Sequence, residues 1–244
     1  MTARTTQTAE ALERVAKELS RSLRRVGAGP AVACTYDPLD YAWEAHAAYL
    51  ALARPRPRAL LLGMNPGPFG MVQTGVPFGE IEATREFLGI DRGVRAPRHQ
   101  HPKRPVLGFA CKRSEVSGRR FWGLMRAEFG TAARFFREGF VWNWCPLAFA
   151  APSGANVTPD KLPTTARATL ETACDRALAR FVETIEPKMV IGVGAFAATC
   201  ATRALRGRVA VHTVLHPSPA SPAANRGWER AARTQLRACG FLRA

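Results

Sequence analysis

The sequence contains no apolar run near the roughly 20 residues that span a bilayer, and its first ten residues are polar, without the apolar segment of a secretory signal. A soluble intracellular protein is therefore expected. Closely spaced cysteines are also absent. The six stand at 34, 111, 145, 174, 200 and 239, with no CxxC or other short metal-ligand pair. That spacing argues against a zinc site or an iron–sulfur cluster and for reduced cysteines acting as small core hydrophobes. His99 and His101 have no thiolate or carboxylate near them in sequence, so no metal is expected there. Walker A, dinucleotide-binding and Gly-x-Ser-x-Gly patterns are missing as well.

Acidic residues are scarce. Asp and Glu total 19 against 35 Lys and Arg, a formal net charge of +16. Such an excess attracts polyanions, nucleic acid first and anionic membrane second. An Ala- and Arg-heavy composition from a GC-rich genome is the plainer explanation, and it points to a bacterial cytoplasm or nucleoid (a nucleus if the source is eukaryotic). Charge alone names a class of partner and no chemistry.

The 244 residues suffice for one large α/β domain, expected over 1–244 with a helical part at 1–57 and a catalytic core at 58–244. Residues 9–26 place Ala11, Leu12, Val15, Leu19 and Leu23 at helical spacing, and 41–53 form a second helical stretch. Beyond them, four apolar runs each lead into a polar or Gly/Pro-rich turn: 59–63, 139–142, 189–193 and 209–215. Helical patterns occupy 81–88, 118–129, 164–185 and 195–205, and a last helix is expected over 222–238. Near-continuous apolar strands alternating with helices predict an α/β fold, a four-stranded parallel sheet flanked by helices on both faces. Right-handed crossovers bring the C-terminal strand ends to one edge, where open sheets bind ligands. Asn65, Asn143 and His216 should meet there.

Each of these residues has an ordinary structural explanation. The stretch Gly63-Met64-Asn65-Pro66-Gly67-Pro68-Phe69-Gly70-Met71 could be a tight turn, Asn143 a cap and His216 a satisfied core histidine. Together they offer two amides and an imidazole, with no paired carboxylates and no cysteine nucleophile. That set suits a reaction whose leaving group becomes an anion and whose nucleophile is a positioned water.

The same stretch, with Gln73-Thr74-Gly75-Val76-Pro77-Phe78-Gly79-Glu80, His101-Pro102-Lys103-Arg104-Pro105-Val106-Leu107-Gly108, Ser114-Glu115-Val116-Ser117-Gly118 and His216-Pro217-Ser218-Pro219, closely resembles the single-strand-selective monofunctional uracil-DNA glycosylases. The likeness runs from about 52 to 242. It implies base-excision repair on single- and double-stranded DNA by a monomer that needs no cofactor. Asn65 would orient the attacking water, since an amide cannot take its proton at neutral pH. His216 would stabilise charge growing on uracil O2, and Asn143 would read O4 and N3–H. Phe78 would stack on the flipped ring and Met64 would line the pocket. Gly67 would leave room where the archetypal enzymes exclude the thymine methyl with a tyrosine, admitting oxidised 5-substituted uracils.

For DNA, the resemblance implies a wedge over 216–228, with Pro217, Ser218, Pro219, Ala220, Asn225 and Arg226, and a second contact over 153–167, with Ser153, Gly154, Asn156, Lys161 and Arg167. Two departures stand out. Ala220 replaces an arginine of vertebrate relatives, and Trp142, followed by Asn143 and Trp144, replaces a smaller histidine, so the wedge and the base pocket are both expected to differ. The competing readings are a non-catalytic binder of damaged or single-stranded bases and a hydrolase of free nucleosides or esters.

Overall fold

The computed structural model describes residues 3–243; Met1, Thr2 and Ala244, the outermost ends of the expected domain, lie outside it. In chain order the first elements are α1 (Ala3–Leu23), β1 (Cys34–Tyr36), α2 (Pro38–Tyr41), α3 (Trp43–Leu50), β2 (Ala59–Gly63) and α4 (Met71–Thr74). Next come α5 (Val116–Phe129), α6 (Ala132–Glu138), β3 (Gly139–Asn143), β4 (Ala148–Ala150) and β5 (Asn156–Val157). The chain ends with α7 (Thr164–Ile185), β6 (Met189–Val193), α8 (Ala195–Leu205), β7 (Ala210–Val214), α9 (Pro222–Asn225) and α10 (Trp228–Ala238).

The expected parallel sheet is present, in the order β3-β2-β6-β7. β2 and β3 are buried along their whole length, which is why they read as unbroken apolar runs rather than alternating ones. Register sets Gly63 beside Asn143, Leu62 beside Gly192 and Val193 beside Val214, so the strand ends lie side by side. The sheet is flanked by helices: α1 packs on α7 and α7 on α8, while α5 packs on α6 and α10.

Several boundaries differ from expectation, each for a local reason. The stretch expected at 41–53 starts earlier, where Asp37 caps the Leu39 amide and Pro38 takes the first turn, and it breaks at Ala42. The helix expected over 81–88 is present, but its Ala83–Phe87 part winds as a wide π-helical turn. The last expected helix is two, because Gly227 sits at φ 123 between α9 and α10. α6 is additional: Gly130 at φ 70 ends α5, and Thr131 caps the new helix through Arg134 N–H.

A second sheet was not expected. β1, β4 and β5 form a small antiparallel sheet in the order β1-β4-β5, with Cys34 opposite Ala150 and Phe149 opposite Val157. Strands of three and two residues carry too little alternation to show in sequence.

The two tryptophans that flank Asn143 point away from the strand-end cleft. Trp142 stacks on Phe181 at 4.3 Å and tilts against His46 at 5.6 Å. Trp144 donates to Asp175 Oδ1 at 2.7 Å and packs edge-on against Phe196. The expectation that they remodel the base pocket is corrected: the pleat turns Trp142 to the opposite face from Asn143. All six cysteines are free. No described helix is long and apolar enough to cross a membrane.

Candidate active site

A cavity of about 410 Å³ opens at the C-terminal ends of the strands, lined by residues of the β2–α4 loop together with Phe78, Asn143, Asn156 and His216. The convergence inferred from topology is therefore real. A larger hollow at the opposite pole is ringed by arginines and the C-terminal segment and contains none of the predicted site residues.

Asn143 ends β3 and is buried. Its Nδ2 reaches only the Met71 sulfur, at 3.2 Å, a weak acceptor. A buried amide without strong partners is normally costly, and this one faces the cavity it lines. Gly63 makes that possible: a Cβ there would fall 2.2 Å from Asn143 Oδ1 and 2.8 Å from Phe78 Cε2. Gly63→Ala should therefore displace both groups and lower turnover about 10²-fold; steady-state kinetics on a folded variant, checked by circular dichroism, would show it.

Phe78 occupies the left-handed region, φ 53, an uncommon place for an aromatic residue and one that marks a constrained site. One face of its ring stacks on Phe121, 4.7 Å between centroids and 17° between planes. Phe78 also lines the cavity. Gly118 allows α5 to approach, since a Cβ would lie 2.1 Å from the Phe78 carbonyl oxygen.

Asn65 donates from Nδ2 to the Leu147 carbonyl at 3.3 Å. That bond fixes the amide and leaves Oδ1, an acceptor, on a cavity-lining residue. His216 receives a hydrogen bond at Nδ1 from Ser218 N–H, 3.1 Å, which puts the ring proton on Nε2. Burial pushes its pKa down to about 4, so at neutral pH it is an uncharged donor. Its backbone is gripped on both sides. Leu215 donates its N–H to Gln235 and receives Trp228 Nε1 at 2.6 Å, while Arg120 donates to the Pro217 carbonyl at 3.0 Å.

Met64, Gly67, Asn156, Ser218 and Pro219 also line the cavity, together with Glu115, Ser117 and Thr158, whose roles were not foreseen. Glu115 accepts from Phe69 N–H at 3.1 Å and braces the loop. Burial raises its pKa, opposed by the Phe69 and Gly70 amides. The space off Gly67 is not empty, because a Cβ there would meet the Glu115 carboxylate at 2.6 Å. Ser114–Gly118 was singled out in sequence, but nothing local says which of its residues faces the cavity.

Among the DNA candidates, Ser153, Lys161, Arg167, Ala220 and Arg226 are exposed and outside the cavity lining. Gly154 is buried at φ 84 against Lys103 and His101, so it closes a loop rather than offering a contact. Pro217 is buried too. Asn225 is exposed but engaged at both ends of its amide, by Arg120 and by the Pro219 carbonyl.

A family model described as the uracil DNA glycosylase superfamily matches residues 50–237. The chain belongs to the uracil-DNA glycosylase superfamily. Within it, the chain is 53% identical over 215 residues to the single-strand selective monofunctional uracil-DNA glycosylase of Rattus norvegicus, covering 86% of this chain and 77% of that one. Its counterpart in Bos taurus is 49% identical over 228 residues, 92% of this chain and 84% of that one. The crystal structure of wild-type Pedobacter heparinus SMUG2 superposes with a TM-score of 0.65 over 92% of this chain and 96% of that one. At 16% identity that likeness speaks for the glycosylase fold alone.

Proposed function

We propose that this glycosylase hydrolyses the bond between uracil and deoxyribose in DNA and leaves an abasic site for base-excision repair. One observation carries the reading: a buried amide whose one hydrogen bond goes to a weak sulfur acceptor, an aromatic ring with one face already stacked, a fixed amide acceptor and a neutral imidazole donor share a single cavity.

Each group has work to do. Asn143 can accept from uracil N3–H and donate its second amide hydrogen to O4, a pattern that cytosine reverses. Phe78 supplies a stacking face, with Phe121 behind it. Asn65 Oδ1 can hold the attacking water in line without taking its proton. His216 Nε2–H can donate to O2 as the departing base becomes an anion, and a preorganised donor in a dry site needs no positive charge for this. The oxocarbenium-like sugar is then captured by water. The fit of Gly67 beside the Glu115 carboxylate extends the proposal to uracils with a small polar group at C5, which that carboxylate could meet.

The basic surface would hold the phosphates, and extrusion of the base would be offset by the 216–228 loop. We place the enzyme as a monomeric single domain wherever the cell keeps its DNA. Arg120, which sequence reasoning missed, ties α5 to both ends of that loop through the Pro217 carbonyl and Asn225. Arg120→Ala should lower kcat/KM about tenfold, more on duplex than on single strands, with partial recovery in Arg120→Lys; equal loss on both substrates would contradict a wedge-positioning role.

The deciding experiment uses a labelled oligonucleotide with one uracil, single-stranded and paired, across a salt series. Release of uracil that weakens steeply with salt is expected. Tight binding without release would instead favour a non-catalytic reader of damaged bases.

A further inference from the structure

We propose that the rim beside the cavity carries a stacking platform for an unpaired nucleobase next to the excised one, built from Phe69 and Arg113. Phe69 belongs to the loop whose neighbours, Pro68 and Gly70, line the cavity. The Arg113 guanidinium lies over its ring at 3.8 Å from the centroid, and Arg104 approaches the same ring at 5.4 Å. Arg113 is exposed, and its guanidinium has no hydrogen-bond or ion-pair partner among the described residues. A planar cation held against an aromatic ring keeps its outer face free, and that face stacks on a base.

A second observation marks the same rim. Leu107 is 55% exposed and is the single large hydrophobic residue so exposed among those described. Gln73 secures it there, accepting from Leu107 N–H at 2.8 Å while donating to the Pro68 and Pro105 carbonyls. Gly154 packs on the segment that holds Arg104, so the platform continues into the 153–167 stretch. The basic run at 92–104 thus delivers Arg104 to the rim.

A free guanidinium face on an aromatic ring, with an exposed leucine tied through Gln73 to the same loop, suits the flat, apolar surface of a base with a phosphate near its edge. Bases inside a duplex have both faces covered by their neighbours, so the platform favours single strands or frayed sites. The inference rests on the function proposed above, and its test is chosen to separate the two.

Fluorescence anisotropy would compare a labelled, uracil-free single strand with the same strand carrying abasic positions throughout. Wild type should bind the base-bearing strand about tenfold more tightly. Arg113→Lys, which keeps the charge, and Phe69→Leu, which keeps apolar bulk, should each remove most of that preference while leaving affinity for the abasic strand within about twofold. If both variants keep the wild-type preference, or if Arg113→Ala weakens both strands equally while Arg113→Lys behaves as wild type, Arg113 is only a phosphate contact and the platform is overturned. A protein that shows the predicted base-dependent loss yet releases no uracil would sink the proposed reaction and leave the platform standing.

Discussion

Uracil release by His216→Leu should be slower than wild type by about 10²–10³-fold in kcat, the usual consequence of removing one preorganised donor to a developing anion. Because His216 is already uncharged at neutral pH, its pKa pushed down to about 4, the loss would reflect a missing hydrogen bond rather than a missing charge. Single-turnover rates should therefore show a defect that is nearly constant between pH 6 and 9. Asn65→Ala should fall at least as far, since it removes the acceptor that Leu147 holds in place. The KM of both variants should stay close to wild type, because the proposed reading assigns the grip on uracil to Asn143 and Phe78. An Asn65→Ala enzyme that retains more than about a tenth of wild-type kcat would remove Asn65 from the reaction.

The second large effect concerns stability. His46 is fully buried between α3 and β3, with Nδ1 donating to the Gly75 carbonyl at 2.7 Å and Nε2 unpaired. Burial lowers its pKa to about 4, as it does for His216. Both folded values lie below the roughly 6.5 of a free imidazole, so on acidification the unfolded chain takes up protons first. The contribution of each neutral ring is complete above pH 6.5 and is lost as pH falls toward 4. The gap corresponds to about 3 kcal/mol per histidine.

Asp37 and Glu115 act in the opposite sense. Burial raises both, so what they contribute is greatest at low pH and is lost as pH rises through their folded values. Both carboxyls therefore add stability as pH falls, so a net fall between pH 6.5 and 5 belongs to the histidines. Urea unfolding at several pH values would show it, and His46→Leu should flatten the slope by about half. A stability independent of pH over that interval would mean that neither ring is buried as a neutral group.

The parallel sheet was legible because strands buried on both faces read as unbroken apolar runs, and the meeting of Asn65, Asn143 and His216 followed from strand order alone. Which atoms of those residues are free was not legible. The Leu147 carbonyl that fixes Asn65 and the Ser218 amide that sets the His216 tautomer depend on how loops close. Glu115, Gln73 and Arg120 were hidden for the same reason, since each acts on a segment more than 30 positions away in sequence. Trp142 shows the converse. Its place next to Asn143 suggested influence on the pocket, and the pleat of one strand sends it elsewhere.

The small antiparallel sheet changes where the enzyme can be cut. A chain begun at residue 58 would keep all four parallel strands and every residue that lines the cavity. It would nevertheless lose Cys34–Tyr36, the strand that zips onto Ala148–Ala150. The turn ahead of that zip carries Leu147, whose carbonyl is the handle on Asn65. Trimming the helical first part would thus loosen the proposed grip of Asn65 on the attacking water through a strand pairing that joins positions more than a hundred residues apart, and the minimal catalytic fragment must begin before Cys34.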